Sequence, residues 1–341
     1  MFKRAPSSFY KLLISLSFIM ILIATIRLFT FSTSAGSDDE KYAEFFRENY
    51  KIFSVNVPND LNFAGEQVPL QDFEVRERLD REFLVNTYWQ SQTLLLAKKA
   101  NRWFPVILPI LKKNGIPEDF KYMVAVESGF SLGVSAKGAA GYWQFMAPTA
   151  ESYGLTINEE VDERYNVVKS TEAACRFFKE NYKVFKSWTL AAAAYNIGTN
   201  GLQRALDKQK VSSYYDLLLN EETSRYMFRV LALKEILSKP DQYGFIIRKK
   251  DLYPPLPSTE ITVDTTINDL TAFATQQGLN YKLLKYFNPW LRSDKLTAAA
   301  GRKYFIRIPH KSIRNYDELK QLSEEENKND EVIKKDSVLG H

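Results

Sequence analysis

Residues 116–130 read IPEDFKYMVAVESGF, and this stretch predicts a short helix that ends beside an acidic side chain. Pro117 suits the first turn of a helix, and the two acidic residues that follow suit the positive end of the helix dipole. Gly129 is a natural helix stop, because glycine readily adopts the left-handed conformation in which helices end. The pattern therefore places Glu127 in the last helical turn.

This position favours a raised pKa for the carboxyl group of Glu127. The C-terminal end of a helix carries partial negative charge, and Met123, Val124 and Val126 supply an apolar surface, so both disfavour ionisation. A carboxylic acid that stays protonated near neutral pH is what glycosidic bond cleavage needs in a general acid. A solvated glutamate at a helix end is the alternative that these residues leave open.

A second informative stretch follows, in which the run of small residues 136–141 leads into YWQFM at residues 142–146. Small residues let a bulky ligand approach the backbone. An aromatic surface beside an amide suits a sugar, which has an apolar face and hydroxyl edges. Trp143 and Gln144 are therefore candidate sugar-binding residues. A glycine turn followed by core aromatics is the alternative.

The composition excludes several kinds of active site. The chain has 341 residues, with two histidines, His310 and His341, and one cysteine, Cys175. Nucleophilic triads and dyads need an imidazole among the catalytic groups, and zinc sites usually need several His or Cys ligands. We therefore expect no metal and no cofactor, with carboxylates as the acid–base groups. Cys175 lies in a helical pattern and is interpreted as a small packing residue.

The formal net charge of +5 is spread over many residues of both signs. No basic stripe with interleaved aromatics is present, so we expect no nucleic-acid partner.

At the amino terminus, three basic residues precede an apolar stretch at residues 12–31, and small residues follow. Residues 1–35 are therefore predicted to be a signal peptide or a membrane anchor, which would place the remainder in the cell envelope or periplasm. A buried core helix is the third reading.

The body of the chain divides by composition. Residues 36–80, with Pro58 and Pro69, predict an irregular lead-in rather than a domain. Residues 81–245 read as an almost wholly helical domain without a strand pattern. Its helical stretches include residues 81–111, a segment that Ser170 caps, an alanine-rich helix at 188–196 and the long stretch 214–237. Asp162, Glu163 and Arg164 are interpreted as a structural ion pair.

The carboxy-terminal part reads as a separate small module. Residues 246–258 are proline-rich and predict a linker. Residues 259–310 show a strand, helix, helix, strand order, with strands at 260–263 and 304–308 and helices at 269–276 and 281–287. Residues 311–341 are highly charged and predict a disordered tail.

Four motifs follow one another along the helical region. They are Glu127-Ser128-Gly129-Phe130, Gly141-Tyr142-Trp143-Gln144-Phe145-Met146, Ala194-Tyr195-Asn196 and Glu222-Thr223-Ser224-Arg225-Tyr226. Together they resemble the lytic murein transglycosylase family, most of all its membrane-bound type D enzymes and particularly those of the Bacteroidetes. The resemblance implies a mainly α fold with a lysozyme-like helical catalytic domain. One departure is Tyr142, because the family usually has leucine there.

The resemblance also implies a reaction and a set of site residues. Glu127 would be the sole acid–base, cleaving between N-acetylmuramic acid and N-acetylglucosamine without water and leaving a 1,6-anhydro sugar. Tyr195 would orient Glu127, and the peptidoglycan glycan strand would be the partner. The implied substrate-binding residues are Ser128, Trp143, Gln144, Asn196 and, as a weaker candidate, Glu222.

Residues 259–310 resemble a LysM domain, a small α+β (βααβ) module that binds N-acetylglucosamine polymers. Asn288-Pro289 and Ile308-Pro309 match its late landmarks. The usual Gly-Asp-Thr-Leu opening is replaced by Asp264-Thr265-Thr266-Ile267, so the module is interpreted as a degenerate one.

Two other functions of the protein remain open from the sequence. One is a hydrolysing lysozyme of the same fold, which would leave reducing ends, and the other is a non-catalytic peptidoglycan-binding protein.

Overall fold

The computed structural model describes residues 15–27, 38–49, 51–298 and 301–322, which fall into two compact units divided along the chain between residues 54 and 55. In the first unit, the described residues form helices α1 (15–27) and α2 (Asp38–Asn49). Among the described residues, no helix has the length and apolar character needed to cross a membrane. Most of the predicted signal or anchor at residues 1–35 lies outside α1, beyond the described residues, and stays a prediction.

The second unit begins with a mainly helical domain, as the sequence predicts. Its helices are α3 (Phe73–Tyr88), α4 (Gln90–Lys113), α5 (Lys121–Glu127), α6 (Ala147–Ser152), α7 (Val167–Phe185), α8 (Trp188–Ile197), α9 (Thr199–Gln209) and α10 (Glu221–Ser238). The alanine-rich α8 lies at the centre, where residues 190–194 are all buried. Small side chains let the surrounding helices approach it closely, and α7 and α10 both pack against it.

Three helix starts differ from the sequence prediction, and one is that of α10, which begins at Glu221 rather than at residue 214. The helix predicted from residue 81 begins at Phe73, where the Asp72 side chain accepts hydrogen bonds from the first-turn amides. Helix α7 is capped by Asn166, whose side chain accepts from the amides of residues 168 and 169. Ser170 is therefore not the cap; it lies inside the first turn, and its hydroxyl donates to the carbonyl of Asn166.

The lead-in predicted over residues 36–80 forms no helix or strand at residues 51–61, but residues 62–80 are ordered as part of the helical domain. Strands β1 (Asn62–Phe63) and β2 (Glu66–Gln67) form an antiparallel hairpin that packs into the helical core. The Phe63 ring is fully buried, with its centroid 5.1 Å from that of Phe120. Asp119 fixes the hairpin, because its carboxylate accepts from the Ala64 amide at 2.7 Å and from the Lys234 ammonium at 2.6 Å.

The same hairpin caps the central helix. The Glu66 carboxylate accepts hydrogen bonds from the backbone amides of Trp188 and Thr189 and from the Ser187 hydroxyl. These amides belong to the start of α8, where the helix dipole favours a negative charge. Residues 62–67 are therefore an integral part of the helical domain.

The carboxy-terminal module has the predicted βααβ order. Strand β3 (Ser258–Val263) pairs antiparallel with β4 (Tyr304–Pro309), and α11 (Leu270–Gln276) and α12 (Tyr281–Phe287) lie between them in sequence. Beyond β4, residues 311–314 form a 3₁₀ helix and residues 316–322 are helical, with Leu319 buried. The predicted disorder is therefore wrong for residues 311–322, because this amphipathic segment packs on the fold. Residues 323–341 lie outside the described residues.

The module is docked tightly against the helical domain. The amide of Asp162 donates to the Trp290 carbonyl at 2.9 Å, and the amide of Arg292 donates to the Glu160 carbonyl at 2.7 Å. The Arg292 guanidinium also lies over the ring of Tyr165, 4.4 Å from its centroid. Apolar residues of both parts share one small core. The interpretation of residues 162–164 as structural is confirmed, since Asp162 pairs with Arg164 beside this junction.

We predict that Phe63→Ala destabilises the helical domain by about 3 to 4 kcal/mol, because it removes a fully buried ring and leaves a cavity. The control is Phe73→Ala, whose ring is 74% exposed at the start of α3. This control should change the free energy of unfolding by roughly 0.5 kcal/mol or less. Urea denaturation of both variants gives the two values. If both variants lost the same small amount of free energy of unfolding, the hairpin would not unfold cooperatively with the helical domain.

Candidate active site

The candidate site is built around the last residue of α5. Helix α5 ends at Glu127, and the chain then turns through Gly129 and Phe130, which both have positive φ angles of 55° and 56°. The Lys99 ammonium on α4 donates to the Gly129 carbonyl at 3.0 Å and to the Ser131 hydroxyl at 3.1 Å. The predicted position of Glu127 in the last turn is confirmed, and α4 fixes the turn that follows it.

The carboxyl group of Glu127 has the raised pKa that its position predicts. Burial is the largest cause, and the pKa rises from 4.5 to about 7. The hydroxyl of Tyr226 donates to Glu127 Oε1 at 2.6 Å and lowers the pKa, as does the positive charge of Arg229. The charge of Glu222 raises it. The net effect is a raised pKa, so far more of this carboxyl group is protonated at neutral pH than in a free glutamate.

One face of α10 supplies the groups that act on Glu127. Glu222, Tyr226 and Arg229 are spaced four and three residues apart, so they lie on one side of the helix. The roles of Tyr226 and Arg229 were missed by the sequence analysis, although Tyr226 closes the fourth motif. Their spacing from Glu222 is the signal that identifies them, once α10 is known to pack against α5. Glu222 itself is exposed at the start of this helix.

Tyr195 does not make the predicted hydrogen bond to Glu127. Its hydroxyl donates instead to the backbone carbonyl of Trp143 at 2.8 Å, and Tyr226 makes the bond to the carboxylate. The pKa of Tyr195 is raised by burial and then by the charge of Glu127, so the two groups interact electrostatically. Tyr195 therefore joins the end of α8 to the loop at residues 141–146.

The backbone of the loop at residues 141–146 has two positive φ angles, at Gly141 and Gln144, and no room for a side chain at Gly141. A Cβ at Gly141 would lie 2.0 Å from the Arg164 carbonyl oxygen, so the close approach is to the protein's own backbone rather than to a ligand. Gln144 has a positive φ of 50°, and its side-chain amide donates to the carbonyls of Gly133 and Gly141, each at 3.0 Å. Gln144 thus holds the exposed segment 131–138 against the loop.

Trp143 is wrong as a sugar-binding surface. Its side chain is fully buried, and its indole nitrogen donates to the Thr171 hydroxyl at 2.8 Å, while its ring packs against Phe178. The core alternative left open by the sequence is therefore correct for this residue. The exposed apolar side chains near the loop are Leu132, Val134 and Met146 instead.

The remaining sequence-derived candidates lie at different depths. Asn196, at the end of α8 next to Tyr195, is exposed. Ser128 turns inward: its hydroxyl donates to the Val124 carbonyl and accepts from the Phe130 amide, so it stabilises the turn after Glu127. No cluster of His, Cys, Asp and Glu suited to a metal ion occurs in the described part of the chain. The site therefore offers one carboxyl group, poised near neutrality, that can both donate and accept a proton.

Comparison with known families agrees with this architecture. Residues 106–218 match the transglycosylase SLT domain, and residues 259–312 match the soluble lytic transglycosylase C-terminal LysM-like domain. The chain thus carries an SLT-type, lysozyme-like helical domain followed by a LysM-like domain. The first match covers Glu127, Gln144 and Tyr195 and ends before α10, so Tyr226 lies beyond it.

The chain is homologous to particular curated proteins over longer stretches. It is 28% identical over 258 residues to membrane-bound lytic murein transglycosylase D of Escherichia coli strain K12, which covers 73% of this chain and 55% of that protein. The O6:H1 strain protein of the same name matches to the same extent. A putative tributyltin chloride resistance protein of Alteromonas sp. strain M-1 is 27% identical over 174 residues, 50% of this chain and 80% of that protein. The chain therefore spans about half the length of the transglycosylases it matches.

We predict that Glu127→Gln stabilises the protein selectively at alkaline pH. The pKa of Glu127 is about 7 in the folded protein against 4.5 for the free group, so stability is lost as the pH rises from 4.5 through 7. Above that range the buried charge costs on the order of 1 to 3 kcal/mol, and glutamine removes the cost. Urea denaturation at pH 4 and pH 8 measures the effect. The same difference between variant and wild type at both pH values would contradict it.

We predict that Tyr226→Phe raises the pKa of Glu127, because the lost hydroxyl favours the ionised form. The midpoint should rise by roughly one pH unit, as expected for one charge-assisted hydrogen bond. NMR titration of a ¹³C-labelled side-chain carboxyl reads this directly. Tyr195→Phe is the matched control, since its hydroxyl bonds to a backbone carbonyl instead. A larger shift for Tyr195→Phe than for Tyr226→Phe would reverse the two roles.

Proposed function

We propose that this protein is a peptidoglycan lytic transglycosylase that cleaves the β-1,4 bond between N-acetylmuramic acid and N-acetylglucosamine. The observation that carries the proposal is the carboxyl group of Glu127, whose pKa lies near 7 at the end of α5 in an SLT-type domain. Such a group can be protonated when it meets the glycan and can accept a proton within the same turnover.

In the proposed reaction, Glu127 first acts as an acid. Its proton moves to the bridging oxygen, the bond between that oxygen and C1 of the muramic residue breaks, and N-acetylglucosamine leaves with a free 4-hydroxyl group. Glu127 then acts as a base and removes the proton of the muramic C6 hydroxyl. The freed oxygen bonds to C1, so the product is a 1,6-anhydro sugar, water is not consumed and Glu127 regains its proton.

The neighbours of Glu127 support both halves of this cycle. Tyr226 and Arg229 favour the carboxylate that exists after the first step, whereas burial and Glu222 favour the neutral acid that begins the cycle. A positioned hydroxyl also fixes the carboxyl plane, so the same oxygen can face the bridging oxygen and then the C6 hydroxyl. A strongly shifted pKa in either direction would impair one of the two steps.

The substrate is proposed to contact the exposed groups around Glu127. Asn196 presents an exposed amide at the end of α8. Gln144 donates through its nitrogen to backbone carbonyls, and no hydrogen bond among the described residues engages its amide oxygen, which can accept from a sugar hydroxyl. Ser128 remains a candidate for the cleavage subsite through its place in the adjoining turn.

A hydrolytic reaction would ordinarily need a second placed carboxylate. Asp162 is paired with Arg164, and Glu163 is paired with Lys169 and Arg302, so both have structural uses. Glu222 is the acidic neighbour whose charge reaches Glu127, but it is exposed and lies on the same helix face as Tyr226. This arrangement favours internal attack by the C6 hydroxyl over attack by water.

The proposal places the protein in the cell envelope, where its substrate lies. The Escherichia coli relative is named as a membrane-bound enzyme, and the basic and then apolar amino terminus of this chain supports export. The LysM-like domain is proposed to lie along the same glycan. Recovery of the protein only from the cytoplasmic fraction would contradict this location.

We predict that Glu127→Gln abolishes peptidoglycan cleavage and keeps glycan binding, because the amide preserves the shape but cannot transfer the proton. General acid–base catalysis contributes about 10²–10⁴-fold, and one group would serve both steps, so the loss should reach the top of that range. The matched control is Glu151→Gln, which removes an exposed carboxylate from α6.

Mass spectrometry of the digests tests the chemistry together with the residue. Wild-type digests should contain 1,6-anhydromuramic ends. Reducing ends would show that water attacks and that the protein is a lysozyme-type hydrolase. Binding without any cleavage by the wild-type protein would leave the non-catalytic peptidoglycan-binding role, and near-normal cleavage by Glu127→Gln would remove Glu127 from the mechanism.

A further inference from the structure

A cleft lies where the SLT-type and LysM-like domains meet. Helix α4, the loop at residues 141–146, α12 and β4 all contribute to its walls. Its principal lining side chains are Arg102, Trp103, Tyr142, Tyr286, Trp290 and Arg307. The cleft is therefore a composite of both domains, and the loop that carries Gln144 also supplies one of its side chains.

The walls of this interdomain cleft are fixed by direct contacts. The ring of Trp103 packs on that of Tyr142 with centroids 4.8 Å apart, and Trp290 stacks on Tyr304 at 5.9 Å. The Arg102 side chain donates to the Pro254 carbonyl at 3.0 Å and to the Tyr286 hydroxyl at 3.4 Å. A preformed aromatic cleft of this kind can bind a ligand without first ordering its own side chains.

The charge of the cleft is unbalanced. Neither Arg102 nor Arg307 forms an ion pair with a carboxylate among the described residues, and none of the described lining residues is acidic. Arg302, which like Arg307 belongs to the LysM-like domain, does form an ion pair, with Glu163. Burial raises the pKa of Tyr142, while the positive charges of Arg307 and Arg102 lower it, so both guanidinium groups act on its phenol.

We propose that this cleft binds a carboxylate of the peptide stems carried by the muramic residues of the glycan strand. The proposal rests on the proposed function, because it assigns the peptide-bearing part of that same substrate. Guanidinium groups recognise carboxylates through paired N–H donors, and half-buried arginines without acidic partners gain most from such an anion.

Tyr142, the residue by which the second motif departs from the family pattern, has a role in this proposed site. Tyr142 occupies a position at which the resembled family usually has leucine. It lines the cleft, and the charges of both arginines act on its phenol. No hydrogen bond of this hydroxyl is formed among the described residues. A tyrosine here can therefore donate to the same carboxylate, which a leucine cannot do.

The test compares one substrate in two charge states. Glycan strands with intact stems are divided, and the stem carboxyl groups of one half are converted to amides. The measured quantity is the ratio of kcat/KM for untreated strands to that for amidated strands. Wild-type protein should prefer untreated strands about tenfold, since two charge-assisted contacts are lost on amidation. Arg307→Gln should reduce this preference to about threefold or less.

The matched control is Lys303→Gln, which removes the same charge from an exposed position of the same domain that does not line the cleft. It should keep the wild-type preference. Arg307→Lys keeps the charge and loses the planar fork, so it should give an intermediate ratio, and it provides a second measurement if glutamine weakens the fold. Thermal unfolding accompanies each variant.

The outcomes separate this proposal from the proposed function. A wild-type ratio near one, or an unchanged ratio in Arg307→Gln, would overturn the carboxylate site while cleavage itself persists. If wild-type protein cleaves neither substrate, the function fails, and cosedimentation with Glu127→Gln protein still measures the preference for untreated strands. Glycan strands stripped of their peptide stems carry free lactyl carboxylates. If wild-type protein preferred such strands over their amidated form to the same degree, the cleft would bind the lactyl carboxylate instead of a stem carboxylate.

Discussion

The hydrogen bond from Tyr226 to Glu127 is the contact on which the rest of the site depends, because it ties the carboxyl group at the end of α5 to the packed helix α10. Helix α5 has seven residues, too few to be stable by itself in water. It is held by the packing of α4 and α10 on its sides and by Lys99 on the turn beyond it. The acid is therefore held in position by two long helices, and the burial that they provide raises the pKa of its carboxyl group.

The sequence predicts the parts of this site that are local. Glu127 could be placed at a helix end from Gly129 and the apolar residues before it, since helix stops depend on neighbouring residues. The partner of its carboxyl group could not, because Tyr226 lies 99 positions away and shares with Tyr195 the same type of hydroxyl. Trp143 was misjudged for a related reason: an aromatic beside a glycine turn has the same local pattern whether the turn faces solvent or the core. Only the buried bond to Thr171 separates the two.

The limits of the fold prediction have the same origin. The βααβ order of the LysM-like domain follows from alternation, helix spacing and turn residues, and the structure agrees with it closely. The hairpin at residues 62–67 gives no such signal, because each strand has two residues and its turn lies among scattered prolines. Phe63 anchors the hairpin in the core, and Glu66 lets the hairpin cap α8. Both contacts are with residues far away along the chain, so the local sequence pattern does not reveal them.

The cap that Glu66 places on α8 has a consequence for the order in which the domain assembles. Its partners Trp188 and Thr189 lie 122 and 123 positions later in the chain. Closing so long a loop is entropically costly and comes late, whereas helices α3 to α7 contain the residues for their own early contacts. The segment that is synthesised first in this domain is thus expected to dock among the last. Until it does, the amides of Trp188 and Thr189 lack the Glu66 carboxylate, and the helix that presents Tyr195 and Asn196 has only the local cap that Ser187 provides.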